Sequence, residues 1–345
     1  MKIGFFEKYL TLFVLICMAI GVLIGRFLPI IPDTLSRFEI ASVNIPIGIL
    51  IWVMIYPMML KVDFTSVKHV GKKPKGLYLT WIVNWLIKPF TMFGIAYLFF
   101  HVIFSAIIPA NLQQDYLAGA VLLGAAPCTA MVFVWSTLTR GNPAYTLVQV
   151  ATNDLIILVL FVPIVGLLLG IGGFAVPWAT LFLSVFLFVV VPLVAASLTR
   201  YYMIKQKGLE FFNQRFVPKF AKVTITGLLL TLILIFSLQS DLIIDNPLHI
   251  VLISIPLIIQ TFLIFFIAYF GARALKLTHD VAAPAGMIGA SNFFELAVAV
   301  AVALFPLNPG VALATIVGVL VEVPIMLILV KIANKTKSWF PKGEI

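Results

Sequence analysis

Residues 123–129 read Leu-Gly-Ala-Ala-Pro-Cys-Thr and interrupt an apolar run that extends from Tyr116 to Leu138. A proline inside a helix removes one backbone donor and its ring collides with the preceding turn, so we expect this helix to break near its middle. Backbone that is not helical at membrane depth is tolerated only where protein surrounds it or where it lines a cavity. The break therefore indicates a binding site and not a lipid-facing surface.

A second break is predicted in the other half of the chain. The run from Val281 to Phe305 contains Pro284, Gly286 and Gly289, followed by the polar pair Ser291-Asn292. Either break alone is explained by a simple proline kink. Two breaks at corresponding positions indicate half-helices whose ends supply partial charges to a ligand.

Two sequence matches indicate an internal repeat. Gly124-Ala125 aligns with Gly289-Ala290 at an offset of 165 residues, and Asn142-Pro143 aligns with Asn308-Pro309 at an offset of 166 residues. We therefore predict two five-helix repeats, residues 1–172 and residues 173–345, within one membrane domain. Because five is odd, the second repeat enters the membrane from the opposite side, which gives an inverted repeat.

The composition indicates an integral membrane protein. Of the 345 residues, 62% are apolar and 10% are charged, whereas a soluble domain has about a quarter charged residues. A membrane-crossing helix needs about 20 apolar residues. The ten runs that approach or exceed this length are Tyr9–Leu28, Ile45–Leu60, Leu77–Phe100, Tyr116–Leu138, Pro143–Leu169, Val176–Leu198, Val223–Leu238, Leu248–Ala272, Val281–Phe305 and Pro309–Ile332.

Basic residues predict the orientation of these spans. The loops after the third, fifth, seventh and ninth runs contain no Lys or Arg. The loops after the even-numbered runs and the C-terminal tail do contain them, at Lys61, Lys68, Lys72, Lys73, Lys75, Arg140, Arg200, Lys205, Lys207, Arg215, Lys219, Lys222, Arg273, Lys276, Lys331, Lys335, Lys337 and Lys342. Since short cytoplasmic loops are enriched in Lys and Arg, both termini are predicted to be cytoplasmic. Because orientation in the membrane explains the basic residues, the net positive charge does not indicate a nucleic-acid partner.

Four charged residues fall near the middle of predicted spans, namely Lys88, Asp154, Glu295 and Glu322. Charged side chains inside a membrane usually face the bundle interior and mark an ion or substrate path. Lys88 can neutralise one carboxylate in a structural ion pair, here assigned to Glu322, which leaves other carboxylates free to exchange protons. Glu295 is the strongest candidate for proton coupling, because it follows the second break within one turn.

The two cysteines have different predicted roles. Cys17 lies in an unbroken span and is expected to pack as a small hydrophobic residue. Cys128 follows Pro127 at the first break, where a thiol can bind soft, thiophilic solutes. The pattern predicts no metal site and no other cofactor, and without a nucleotide-binding loop no ATPase partner is required, so an ion or solute gradient must drive any transport.

Four motifs resemble the arsenite permease family of arsenical resistance, within the bile acid/arsenite/riboflavin transporter superfamily. They are residues 124–136 with Cys128, residues 141–154 with Asn153-Asp154, residues 291–297 with Glu295, and residues 321–326 with Glu322. The resemblance also covers residues 84–90 around Lys88, and thus nearly the whole chain. Pro127 and Phe293 depart from the family pattern, since some members have Arg at the first of these positions and many have Asn at the second.

The resemblance implies an all-α sodium/bile acid symporter-like fold of ten helices, with helices four and nine broken and crossing. It implies export of arsenite, and possibly antimonite, in exchange for protons across the cell membrane, and no enzymatic activity. The substrate-binding positions implied by the family are Cys128, Glu295, Asn292, Asn153, Trp135 and Phe294, and the proton-coupling positions are Glu295, Glu322 and Asp154.

Three alternatives are retained. The first is a sodium-coupled organic-anion carrier of the bile acid type on the same scaffold, which sodium-stimulated flux would reveal. The second is an intramembrane enzyme with Cys128 as nucleophile, although no His lies at mid-span. The third is a membrane sensor without flux, although the chain has no large soluble segment.

Overall fold

The computed structural model describes residues 9–36, 38–40, 43–60, 74–128, 131–173, 178–238, 240–245 and 247–341. Most of the described chain is helical, and a two-residue antiparallel ladder joins strand β1, Glu39–Ile40, to strand β2, Val43–Asn44. The basic residues Lys61, Lys68, Lys72, Lys73 and Lys342 lie outside the described residues.

The α-helices are numbered here in chain order. They are α1 Leu10–Phe27, α2 Ile30–Ser36, α3 Ile45–Met59, α4 Pro74–Ile82, α5 Lys88–Tyr97, α6 Ala110–Gly124, α7 Met131–Leu138, α8 Pro143–Ile171, α9 Trp178–Val185, α10 Val191–Phe211, α11 Phe220–Leu238, α12 Ser240–Asp245, α13 Pro247–Ala274, α14 His279–Ala290, α15 Phe294–Leu304 and α16 Pro309–Lys335. Wider π-helical turns at Val83–Ile87, Leu98–Ile103, Phe186–Val190 and Phe212–Phe216 and 3₁₀ turns at Val217–Lys219 and Lys337–Trp339 complete the helical part.

The described residues of the ten apolar runs are largely helical, apart from the interruptions in the fourth and ninth runs. Five helical stretches of 27 to 42 residues are long and apolar enough to cross a membrane: Pro74–Ile103, Pro143–Ile171, Trp178–Lys219, Pro247–Ala274 and Pro309–Lys335. The third of these has a non-helical residue, Gly208, with φ 83° and ψ 162°. Shorter apolar helices cover Leu15–Phe27, Gly48–Pro57, Ile225–Leu238 and Phe294–Leu304. The chain is therefore a predominantly helical, multi-pass membrane protein, whereas the inversion of its halves and the side of each loop stay predictions.

The helices pack in two groups. Helix α11 packs against α1 and α3, and α10 also contacts α3. In the second group α13 packs against α14 and α16, and α16 packs against α6. Helix α15 contacts α16 and also reaches α3 and α9, so it lies at the boundary between the groups.

Both predicted breaks are present. Helix α6 ends at Gly124 and α7 begins at Met131, while α14 ends at Ala290 and α15 begins at Phe294. The segment that forms the second break is extended at Ser291, with φ −81° and ψ 144°. The helix begins again at Phe294, after the polar pair Ser291-Asn292. Helix is favoured there because backbone groups at membrane depth must be hydrogen-bonded within the protein.

Candidate functional site

The two broken segments contact each other through their backbones. Pro127 and Asn292 form an isolated antiparallel bridge. Two backbone hydrogen bonds flank this pair. The amide of Cys128 donates to the carbonyl oxygen of Ser291 at 3.4 Å, and the amide of Phe293 donates to the carbonyl oxygen of Ala126 at 3.1 Å. Each break therefore satisfies part of the backbone that the other leaves unpaired, which explains how two unwound segments can lie inside an apolar protein.

Lys88 and Glu322 are joined through Ser291. The ammonium group of Lys88 donates to the carbonyl oxygen of Ser291 at 2.6 Å, and the Ser291 hydroxyl donates to Oε1 of Glu322 at 2.5 Å. The backbone amide of Asn292 also donates to this carboxylate oxygen, at 3.3 Å. The predicted ion pair is therefore indirect, because the extended backbone of the second break lies between the two charges.

Gln260 and a π-helical turn fix the backbone position of Lys88. Gln260 on α13 donates from Nε2 to the backbone oxygen of Lys88 and to Oγ1 of Thr91, each at 3.0 Å. Directly before Lys88 the chain makes the π-helical turn Val83–Ile87, a rare geometry that occurs often at functional sites. The side chain of Lys88 is 1% exposed, so its charge is held inside the bundle.

Cys128 is buried where the two broken segments meet, hereafter the crossing. Its side chain is 1% exposed and belongs to a small apolar cluster with Val132, Val150 and Ile288. Its backbone amide donates to the carbonyl oxygen of Ser291, so Cys128 lies beside the second break. Cys17, by contrast, packs within the main apolar core.

Glu295 begins the second half of the broken helix pair. It lies in the first turn of α15, where its carboxyl group interacts with its own backbone amide. The side chain is 2% exposed, and its Oε2 atom has no hydrogen-bond partner among the residues that the structure describes. Together with Phe294 it borders a narrow cleft whose opposite wall includes Met54 on α3 and Thr231 on α11. Glu295 therefore faces the boundary between the two helix groups.

Asn153 and Asp154 lie side by side on α8 in different surroundings. Oδ1 of Asn153 accepts a hydrogen bond from Nε1 of Trp85 at 3.1 Å. Both carboxylate oxygens of Asp154 are buried without a partner among the described residues. The Asp154 carboxylate therefore has no hydrogen bond in the described part of the chain, whereas Oε1 of Glu322 accepts from Ser291 in the second break.

Several buried polar atoms of the candidate residues have no hydrogen-bond partner in the described part of the chain. In folded proteins about nine in ten such groups are hydrogen-bonded, so these atoms provide binding capacity for a small polar solute. The atoms are Nε1 of Trp135, Nδ2 of Asn153, Oδ1 of Asn292, Oε2 of Glu295 and Oε2 of Glu322. Across the described residues no three His, Cys, Asp or Glu side chains lie close enough to hold a metal ion.

Sequence reasoning missed several polar members of this region. Ser291 was noted only as a polar residue in the break, yet it bonds to Lys88, Glu322 and the backbone of Cys128. Asn84 is fully buried, and within the described part of the chain both polar atoms of its side chain lack partners. The available signal was a polar residue inside an apolar run, which marks an inward-facing position in a membrane helix but does not identify its neighbours.

The chain was compared with known proteins. The profile of the Sodium Bile acid symporter family matches residues 48–246, more than half of the chain. The Arsenical-resistance protein Acr3 of Alkaliphilus metalliredigens is 64% identical over 340 residues, which cover 99% of this chain and 95% of that protein.

Two other relatives are more distant. An uncharacterized transporter of Synechocystis, slr0944, is 47% identical over 99% of this chain and 91% of its own length. The Arsenical-resistance protein Acr3 of Corynebacterium glutamicum is 31% identical over 95% of this chain and 89% of its own length. The chain thus belongs to the Sodium Bile acid symporter family and, within it, to the Acr3 arsenical-resistance transporters.

Proposed function

We propose that this transporter exports arsenite across the cell membrane in exchange for protons, with both termini in the cytoplasm and antimonite as a second possible solute. The observation that carries the proposal is the buried Cys128 thiol, which lies where two broken helices meet and next to Ser291, the residue that bonds to Glu322. The names of two relatives, which refer to arsenical resistance, support this choice of solute.

The chemistry of arsenous acid suits this site. The molecule is neutral at physiological pH and presents hydroxyl groups, which can bond to Asn153, Asn292 and Trp135. The thiol hydrogen of Cys128 and one hydroxyl group of the solute leave as water when the sulfur–arsenic bond forms. A single sulfur ligand allows release by the reverse reaction, whereas three thiolates would hold arsenic too tightly for turnover.

Different surroundings give the two carboxyl groups different roles. Glu322 shares Ser291 with Lys88 in one buried network. Among the described residues no basic side chain bonds to Glu295, which borders the cleft towards α3 and α11. We assign proton exchange to Glu295 and a mainly structural role to Glu322, with Asp154 as a reserve candidate.

The proposed transport cycle depends on the two repeats. In this proposal residues 1–172 and 173–345 are inverted copies, and each contributes one broken helix to the crossing. Movement of the α1, α3, α10 and α11 group against the other helices would expose the crossing to one side of the membrane at a time. Solute binding and protonation of Glu295 must disfavour each other, since otherwise both would cross together and no exchange would result.

The test is uptake of arsenite by everted membrane vesicles that hold an imposed proton gradient. We expect accumulation that a protonophore abolishes and that Cys128→Ser removes at normal protein levels. A sodium-coupled organic-anion carrier is the second candidate, since the family profile carries the name of sodium and bile acid transport. Uptake that requires sodium and persists without a proton gradient would favour that candidate and overturn proton coupling.

A further inference from the structure

A cavity of about 720 Å³ opens at one end of the second helix group. Its walls come from the first turn of α4, the first two turns of α8, the loop before α14 and the start of α14 itself. Lys75 and Lys276 line it, so it lies at the face that the basic residues predict to be cytoplasmic. At about 30 Å³ for each water molecule, the cavity can hold a small hydrated solute.

Tyr145 contacts both this cavity and the apolar cluster around the thiol. Its side chain lines the cavity and also packs against the apolar cluster that contains Cys128, Val132, Val150 and Ile288. The thiol itself is 1% exposed. Displacement of the Tyr145 side chain would therefore open a path from the cavity towards the sulfur.

Hydrogen bonds hold the Tyr145 hydroxyl in place. It lies 3.0 Å from the carbonyl oxygen of Gly76, to which it can donate, and 2.7 Å from Oγ1 of Thr80. It also accepts from Nε2 of Gln149 at 3.1 Å. These bonds join the first turn of α8, which carries Tyr145, to α4, which carries Gly76 and Thr80.

Gly76 permits this close approach. A Cβ atom at residue 76 would lie 2.8 Å from Cγ1 of Val281 and 3.1 Å from Cε2 of Tyr145. The same carbonyl oxygen also accepts from Thr80 at 2.9 Å and from Gln149 at 3.3 Å. The Gly76 carbonyl oxygen therefore stays hydrogen-bonded when the Tyr145 side chain moves away. Displacement of Tyr145 leaves no buried acceptor without a partner.

We propose that this cavity is the cytoplasmic entry site for a small, neutral, hydroxylated solute, and that Tyr145 is the side chain that closes it above Cys128. Hydroxyl groups of the solute replace the Tyr145 hydroxyl at Thr80 and Gln149 as the ring moves aside. The identity of the solute as arsenous acid rests on the proposed function, whereas the access route to Cys128 does not. Tyr145 is a positioning residue, since it controls access and does not bond to arsenic.

The test measures the reactivity of one thiol. In the Cys17→Ser background Cys128 is the single cysteine of the chain, and its alkylation by N-ethylmaleimide can be followed in purified protein in lipid nanodiscs. Tyr145→Phe keeps the ring and removes the hydrogen bonds, so we expect alkylation to become about tenfold faster. Tyr97→Phe, at an exposed position on α5, is the matched control and should leave the rate unchanged.

A second variant tests the route without weakening the closure. Ala144 is exposed and lines the cavity, so Ala144→Trp should fill it and slow alkylation about tenfold. Ala110→Trp, at the exposed start of α6, is its control. An unchanged alkylation rate in either Tyr145→Phe or Ala144→Trp would overturn the proposal.

Sidedness and solute protection complete the experiment. A charged methanethiosulfonate should modify Cys128 in the Tyr145→Phe variant faster in everted than in right-side-out vesicles, and the opposite order would overturn the entry site. Arsenite should slow this modification if the proposed function holds. Faster alkylation in the variant without protection by arsenite would preserve the entry site and reject arsenite as its solute.

Discussion

The ammonium group of Lys88 lies 2.6 Å from the carbonyl oxygen of Ser291. This contact anchors the extended segment of the second break to the third apolar run. The hydroxyl of the same serine reaches Glu322 on α16, so one unwound residue connects a buried cation to a buried anion. Such a network is stabilising only while all its members are present, because a single deletion leaves an uncompensated buried charge.

The first prediction concerns this network. Lys88→Met and Glu322→Gln should each lower the stability of the purified protein, by about 3 kcal/mol, because each leaves the other member of the network without its electrostatic partner. The double variant should recover part of the loss, which gives a positive coupling in a double-mutant cycle. The measurement is the midpoint of thermal unfolding in detergent. Losses that simply add would show that Lys88 and Glu322 do not interact through Ser291.

A second prediction isolates the serine hydroxyl. Ser291→Ala keeps the carbonyl oxygen that binds Lys88 but removes the donor to Glu322, so stability should fall by about 1–3 kcal/mol. Ser254→Ala is the matched control, since that hydroxyl donates only to the backbone of its own helix in a partly exposed position. Equal unfolding midpoints for the two variants would contradict a special role for Ser291.

A third prediction compares the two thiols. Cys128→Ser should abolish arsenite transport with normal membrane insertion, because oxygen replaces the soft sulfur ligand at the crossing. Cys17→Ser should leave transport nearly intact, since Cys17 packs in the apolar core. Arsenite uptake in everted vesicles distinguishes the two. Full transport by Cys128→Ser would reduce Cys128 to a packing role.

A fourth prediction concerns proton coupling. Glu295→Gln preserves the size of the side chain and its hydrogen-bonding ability but cannot exchange a proton. We expect the variant to bind arsenite and to exchange labelled for unlabelled solute, yet to lose accumulation driven by a proton gradient. Asp154→Asn provides the comparison, because Asp154 lies on α8, outside the two broken helices, and this variant should retain coupling. Gradient-driven accumulation by Glu295→Gln would move the coupling role to Asp154 or Glu322.

The fifth prediction concerns topology. Reporter fusions after Lys73 and Lys207 should report a cytoplasmic location, and a fusion after Gly172 should report an extracytoplasmic one, because Lys and Arg are concentrated in alternate loops. Alkaline phosphatase activity, paired with a fluorescent reporter that matures only in the cytoplasm, measures both outcomes. The reverse pattern would invert the predicted orientation and place the Lys75 and Lys276 cavity on the outside.

The sequence predicted the helices and both interruptions because these features depend on local chemistry. Apolar runs of membrane length form helices, since no other short segment satisfies its own backbone in lipid. Pro127 and the polar pair Ser291-Asn292 lie where the structure shows the helices to be broken. The buried charges Lys88, Asp154, Glu295 and Glu322 were also recognisable, because their low density in apolar runs makes each of them conspicuous.

The partners of these groups depended on the tertiary structure. Lys88 and Ser291 are 203 residues apart in sequence, and hydropathy along the chain carries no information about contacts at that separation. Only the packed arrangement decided that Ser291 lies between Lys88 and Glu322, and that Glu295 faces α3 and α11. The physical reason is that a residue type fixes what a side chain can bond to, whereas helix packing fixes which bonding partner lies within reach.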